Sequence, residues 1–323
     1  MYAINLPRNL LILAMTVVLS ACSPEPVDTL RIASSPWPGY EPFYLARDIG
    51  YLDEKKVRLF ELPSSDITME SFRNHSTDLA TLTLDETVEL VHDGVRLKIV
   101  HILDISHGGD AVLAKPEIKS ISDLKGKRIA IVNIPLGIYM LNRLLDKAGL
   151  ERSDVEVFPM SESKHVAFYK QGKADVVLTF DPVKTRLMNE GMHVIFDSSD
   201  IPGEIVDILV AHEVVYKERR SDICEVIQQW HKTLDYMQTN KQDAVQRISK
   251  RLNIDTSEYD GVMSGIILPS INENRVILGD GTTVPSLIKT ADRLSEIMKN
   301  EGQLKNNVSL AGSIMNMTPD CIR

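Results

Sequence analysis

From residue 29 onward the chain alternates short apolar runs with amphipathic ones, and this order restricts the fold more than any other feature. Strands are expected at 30–33, 57–62, 79–82 and 97–103, with helices at 41–52, at 66–74 and from 83. Thr83 and Glu86 have the spacing of a helix-capping box. The 97–103 run holds few charges, as befits a strand buried on both faces. The alternation restarts after Lys115-Pro116. Strands are expected there at 128–132, 155–158, 176–179 and 194–196, and helices at 136–148, 161–171 and 182–190. Met140, Leu141, Leu144, Leu145 and Ala148 make one apolar face of the 136–148 helix. A repeated βαβα order predicts an α/β protein whose parallel sheets carry helices on both sides.

Two apolar runs without helical period, 110–114 and 206–211, read as hinge crossings between two lobes. The expected division is 29–113 plus 207–323 for lobe 1 and 114–206 for lobe 2. Two crossings would let the lobes close on a ligand by bending at a few residues. Beyond residue 212 the chain reads as mostly helical. Val226, Trp230, Leu234 and Met237 recur at helical spacing and read as core.

The first 21 residues read as an export leader: a polar start with Arg8, an apolar run at 10–18, and small residues before Cys22. The run falls short of the roughly 20 apolar residues that span a bilayer. Leu19-Ser20-Ala21-Cys22 resembles a bacterial lipobox, which implies lipidation of Cys22 and a tether over 22–28. Ser23 after the Cys resembles lipoproteins sorted to the outer membrane in enteric-type bacteria. The expected location is therefore the periplasm, lipid-anchored to the inner or outer membrane.

The net charge of −9 becomes about −10 once Arg8 leaves with the leader. That balance argues against nucleic acid and against anionic membrane surfaces as partners. No other stretch is long and apolar enough to cross a membrane. The remaining cysteines, Cys224 and Cys321, form no CxxC and no metal-ligand spacing; in an oxidising compartment they could pair with each other, or one could stay buried and one exposed. No cofactor or metal site is expected.

Several segments together resemble the family of periplasmic solute-binding proteins for nitrate, sulfonates, taurine and thiamine-pyrimidine precursors. They are the Trp-Pro-Gly-Tyr-Glu-Pro run at 37–51, Leu84-Asp-Glu86, 103–111, 115–127, Thr179-Phe-Asp-Pro182 and 201–207. The resemblance implies a type II periplasmic-binding-protein fold with a ligand cleft between two α/β lobes. It also implies an ABC permease as partner, one small-molecule ligand and a monomeric chain. Related fungal enzymes carry a Cys-Cys-Cys-Phe-Cys motif that this chain lacks, so an enzyme is not expected. The alternative is a ligand-sensing lipoprotein of the same fold that signals to a membrane sensor such as a diguanylate cyclase.

In open α/β sheets ligands sit beyond the C-terminal strand ends, often at helix N-termini. The residues following each strand are therefore the candidates. In the first lobe these are Ser35, Trp37, Thr81, Asp85, Asp104 and Ser106. In the second they are Gly137, Tyr139, Phe180 and Asp181, with Asp207 in the second crossing. Trp37 offers a broad stacking surface or simply packs on its own lobe. Thr83 is expected to be occupied as a cap, which leaves Thr81 as the donor. Asp85 and Asp181 equally suit helix starts. These loops hold four aspartates and no Arg or Lys, which points to a neutral or amine-bearing ligand over a bare oxyanion.

Overall fold

The computed structural model describes residues 29–279 and 286–321. Cys22, and with it the expected leader, tether and lipid anchor, lies outside the described residues. Within them the chain builds two sheets. The first has the order β11-β4-β10-β3-β1-β2, from β1 (Leu30–Ser34), β2 (Val57–Glu61), β3 (Leu79–Thr83), β4 (Leu97–Ser106), β10 (Val206–His212) and β11 (Ile266–Ile267). The second has the order β7-β6-β8-β5-β9, from β5 (Asp110–Ala114), β6 (Arg128–Val132), β7 (Glu156–Met160), β8 (Val176–Phe180) and β9 (His193–Asp197).

Neither sheet is purely parallel, contrary to the expectation from alternation. The two runs read as hinge crossings are full strands, each set antiparallel inside a sheet. β10 lies between β3 and β4 and is antiparallel to both. β5 lies between β8 and β9 and is antiparallel to both. All five residues of β5 and all seven of β10 are buried. A largely apolar run satisfies its backbone by pairing on both sides, which an exposed hinge cannot offer. Asp110–Ala114 thus belongs to the second sheet, and the expected boundary after 113 moves back. The chain passes between sheets at 107–109 and returns over 198–205.

Glycine makes the first passage possible. Gly108 has φ +109°, a conformation that a Cβ strains. The His107 and Gly109 amides both donate to the Gly265 carbonyl, at 2.8 and 2.9 Å. A Cβ on Gly265 would lie 2.7 Å from the Gly109 nitrogen. The C-terminal helical segment therefore clamps the passage by close backbone contact.

One apolar cluster ties the halves together. It runs from Leu82, Ile102 and Ile208 in the first sheet to Ile131 and Leu178 in the second. Between them lie Val88 of the helix Leu84–His92, Leu144 of Pro135–Ala148 and Leu294 of Ser286–Asn300. Each such side chain removed from water stabilises by about 1.5–3 kcal/mol. Trp230 is fully buried against Phe43, ring centroids 4.6 Å apart, and Val226 and Leu234 join it in the core. Cys224 and Cys321 are joined by a disulfide, which pins the C-terminal end to the helix Arg220–Thr239.

Candidate functional site

The antiparallel insertion of β10 assembles the first wall of a site. Its register places Asp207 opposite Thr83 of β3 on one side and Asp104 of β4 on the other. Three polar residues therefore stand in a row at one end of the first sheet. In the second sheet Asp110, which starts β5, is paired with Phe180, which ends β8. The two rows meet across a cavity of 30 Å³ lined by Thr83, Asp207, Asp110 and Phe180, together with Ser35, Pro36, Trp37, Tyr40, Ser65, Ile134 and Leu136. A second cavity of 170 Å³ shares Ser35, Pro36, Ser65, Ile134 and Phe180. It extends the first toward Ser64, Asn133 and Ser161.

Trp37 spans the gap. Its indole N–H donates to both carboxylate oxygens of Asp104, each at 3.1 Å. Its ring meets Phe180 edge-on, centroids 5.8 Å apart. The indole is thus tied to its own lobe and touches the other. Gly39 leaves room for this arrangement: a Cβ there would lie 2.1 Å from Asp104 Oδ2 and 2.3 Å from Trp37 Nε1. Tyr40 donates its hydroxyl to Asp207 Oδ1.

Burial dominates the electrostatics. It pushes the Asp104 carboxyl up to about 7, against the Trp37 N–H that favours the anion. Burial, and then the charge of Asp104, raises Asp207 well above the usual carboxylate range. Asp110 is pushed up to about 7, again chiefly by burial. Behind the cavity burial takes Asp85 to about 6 and, aided by the charge of Asp85, Glu86 to about 8. Burial thus brings the titration of Asp104 and Asp110 close to neutrality, where a positive charge beside them would favour their ionised forms.

The structure sorts the expected residues. Ser35, Trp37, Phe180 and Asp207 line the cavity. Asp104 stands one strand behind, held by Trp37. Thr81 does not reach the site: it is 1 % exposed and donates to Ser34 Oγ at 3.1 Å. Thr83 is the cap expected, in a capping box whose Glu86 carboxylate accepts from its amide at 2.9 Å, and it lines the cavity as well. Asp85 is buried in the first turn of Leu84–His92 and is not a lining residue. Ser106 is spent on Ser198 Oγ at 2.8 Å and on the Asp110 amide at 3.1 Å. Gly137 serves packing, since a Cβ there would lie 2.0 Å from the Val132 carbonyl oxygen. Tyr139 points to Glu204 at 2.5 Å, a carboxylate that Arg143 also holds at 2.7 Å. Asp181 accepts from the amide and hydroxyl of Thr185, at 3.0 and 2.6 Å, and so serves the helix Val183–Asn189.

Asp110, Tyr40 and Ser65 line the cavity without having been singled out, and Ile134 and Leu136 bring the loop that carries Gly137 to it. Asp110 carried a signal, a carboxylate straight after Gly108-Gly109 at the end of an apolar run. Assigning 110–114 to a hinge hid it.

A family model described as "NMT1/THI5 like" matches residues 37–244. A Brucella abortus (strain 2308) protein provisionally named a binding protein is 25% identical over 169 residues. That match covers 51% of this chain and 53% of the relative, so the chain spans about half the length of that relative. Among solved structures, the periplasmic aliphatic sulphonate binding protein SsuA from Escherichia coli superposes with a TM-score of 0.75 at 17% identity. The match covers 90% of this chain and 98% of that one. The alkanesulfonate-binding protein SsuA from Xanthomonas axonopodis pv. citri, bound to MOPS, gives 0.73 at 16% identity, covering 91% and 100%. At these identities the likeness is one of fold: two mixed α/β sheets in the type II periplasmic-binding-protein arrangement.

Proposed function

The chain belongs to the NMT1/THI5-like family, and from that premise we propose that it is a solute receptor, not an enzyme. It captures a small organic ligand between its two lobes and delivers it to an ABC importer. The observation that carries this reading is the cavity shared by both sheets, with Thr83 and Asp207 on one side and Asp110 and Phe180 on the other. A cavity built from two bodies exists only when they close. A ligand touching both walls therefore shifts the population toward the closed form. In this reading the rigid bodies meet at 107–109 and 198–205, the passages between the sheets.

The test is compaction. Adding the solute mixture from a periplasmic extract to the mature protein should reduce its radius of gyration and raise its melting temperature, since ligand binds only the native state. Trp37 fluorescence should change in step. Trp37→Ala should then weaken binding by about 1–3 kcal/mol, the usual loss for a buried aromatic anchor. No compaction and no thermal shift, in a protein that is folded, would reject the receptor reading.

The receptor is lipid-anchored through Cys22 and faces the periplasm. The support is the leader and the Leu-Ser-Ala-Cys sequence at 19–22. Cys22→Ser should accumulate as an unprocessed or soluble form. If the variant still partitions with membranes as a processed lipoprotein, the anchor lies elsewhere.

A further inference from the structure

We propose that the inner cavity takes the ammonium head of a small organic cation, and that it disfavours sulfonates and other oxyanions. This rests on the receptor reading above and names the ligand class for that site. The argument comes from what lines the cavity and from what does not. Three aromatic rings line it, Trp37, Tyr40 and Phe180, and so do two carboxylates, Asp110 and Asp207. Ring faces and carboxylates both attract a cation, and aromatic boxes are a general means of holding ammonium groups. Asp110 is 2 % exposed and Asp207 3 %. Among the described residues neither is bridged directly by a cation, and Lys184, paired with Asp181, favours the Asp110 charge only from a distance.

An oxyanion would need strong donors here. The two aromatic donors are already spent, the Trp37 N–H on Asp104 and the Tyr40 O–H on Asp207. The nearby cation, Lys184, does not line the cavity. It is held at 3.3 Å by Asp181 and at 2.8 Å by the Gly108 carbonyl. The side-chain donors that remain are hydroxyls, those of Ser35 and Ser65 and that of Thr83, which also serves the start of Leu84–His92 and the Asp85 carboxyl. Those two serines are within hydrogen-bond distance of each other, at 3.3 Å. The inner space of 30 Å³ suits a head group, and the adjoining 170 Å³ bordered by Ser64, Asn133 and Ser161 suits a short polar tail.

Three probes of one length and different heads test this: n-butylamine, n-butanol and n-butanesulfonate, titrated at pH 7.5 into the mature protein. Calorimetry and thermal shift should show the amine bound at least tenfold more tightly than either of the others. In Asp110→Asn, and independently in Asp207→Asn, that preference should shrink by tenfold or more. Phe180→Leu, which leaves every charge in place, should reduce it several-fold. Circular dichroism identifies any variant that fails to fold, and the remaining variants then decide. Butanesulfonate or butanol bound as tightly as the amine overturns the inference. So does the absence of any response to the amine. If butanesulfonate alone binds, the receptor reading survives while the ammonium site does not. If no probe binds, the compaction experiment judges the receptor reading separately.

Discussion

Breaking the Cys224–Cys321 bond is expected to lower the free energy of unfolding by about 2–4 kcal/mol. The two residues lie 97 positions apart, so the bond closes a long loop that holds most of the C-terminal helices. In the chain-entropy account a loop of this length removes more freedom from the unfolded state than a short one, with a ceiling near about 5 kcal/mol. The folded state has other means of keeping the tail in place. Gln228 donates to the Cys321 carbonyl at 2.5 Å, and Arg220 is paired with Asp320. Upstream, Ile99 exchanges backbone bonds with Ser313 and Met315, at 2.7 and 2.9 Å. Cys224→Ser with Cys321→Ser should therefore leave the native tail docked and act mainly on the unfolded chain. Urea melts should show a lower midpoint together with a slightly steeper slope, because the released chain exposes more surface. A midpoint unchanged by the double substitution would mean that the bond contributes no stability.

The helices and the strand ends were legible in the sequence because their signals are local. The strand expected at 128–132 is Arg128–Val132, and the helix expected at 136–148 is Pro135–Ala148. The Thr83/Glu86 spacing does open a helix. The two reversed strands were not legible. An apolar run such as Val206–His212 looks the same as a hinge or as a central strand, since only its neighbours decide. Those neighbours, Leu79–Thr83 and Leu97–Ser106, lie more than a hundred residues away.

The same blindness shaped the reading of the site. Asp207 could be nominated by type, but its pairing with Thr83 and Asp104 is a matter of register, which no single strand encodes. Tyr139 and Asp181 follow strands, as ligand-binding residues do, yet each has a local structural partner that satisfies it. The acidic bias was visible early and has a geometric basis in the structure. Asp104 and Asp207 stand side by side, and Asp110 faces the same space.

That acidity should make the empty protein less stable than it need be, and Asp110→Asn should show it. The Asp110 carboxyl titrates at about 7 in the fold and at about 3.8 when unfolded, because burial penalises its charge. Well below pH 3.8 both states hold the proton and the residue has no net effect. Between pH 4 and 7 the unfolded chain has released its proton while the fold retains it, so stability falls as pH rises. Above pH 7 the loss is complete. A shift of about three units corresponds to about 4 kcal/mol as a ceiling, and partial relaxation of the site should leave about 2 kcal/mol. Asparagine keeps the shape and cannot ionise. The variant should match the wild type at pH 3 and exceed it by about 2 kcal/mol at pH 8 in urea melts. Buried His165, His212 and His231, each driven to about 4 mainly by desolvation, impose the opposite slope between pH 6.5 and 4. They are present in both proteins and cancel in the difference. A variant less stable than the wild type at pH 8 would show that the Asp110 charge is satisfied within the empty fold. A variant that is more stable but has lost its preference for butylamine would show that the carboxylate is kept for the ligand at the expense of the fold.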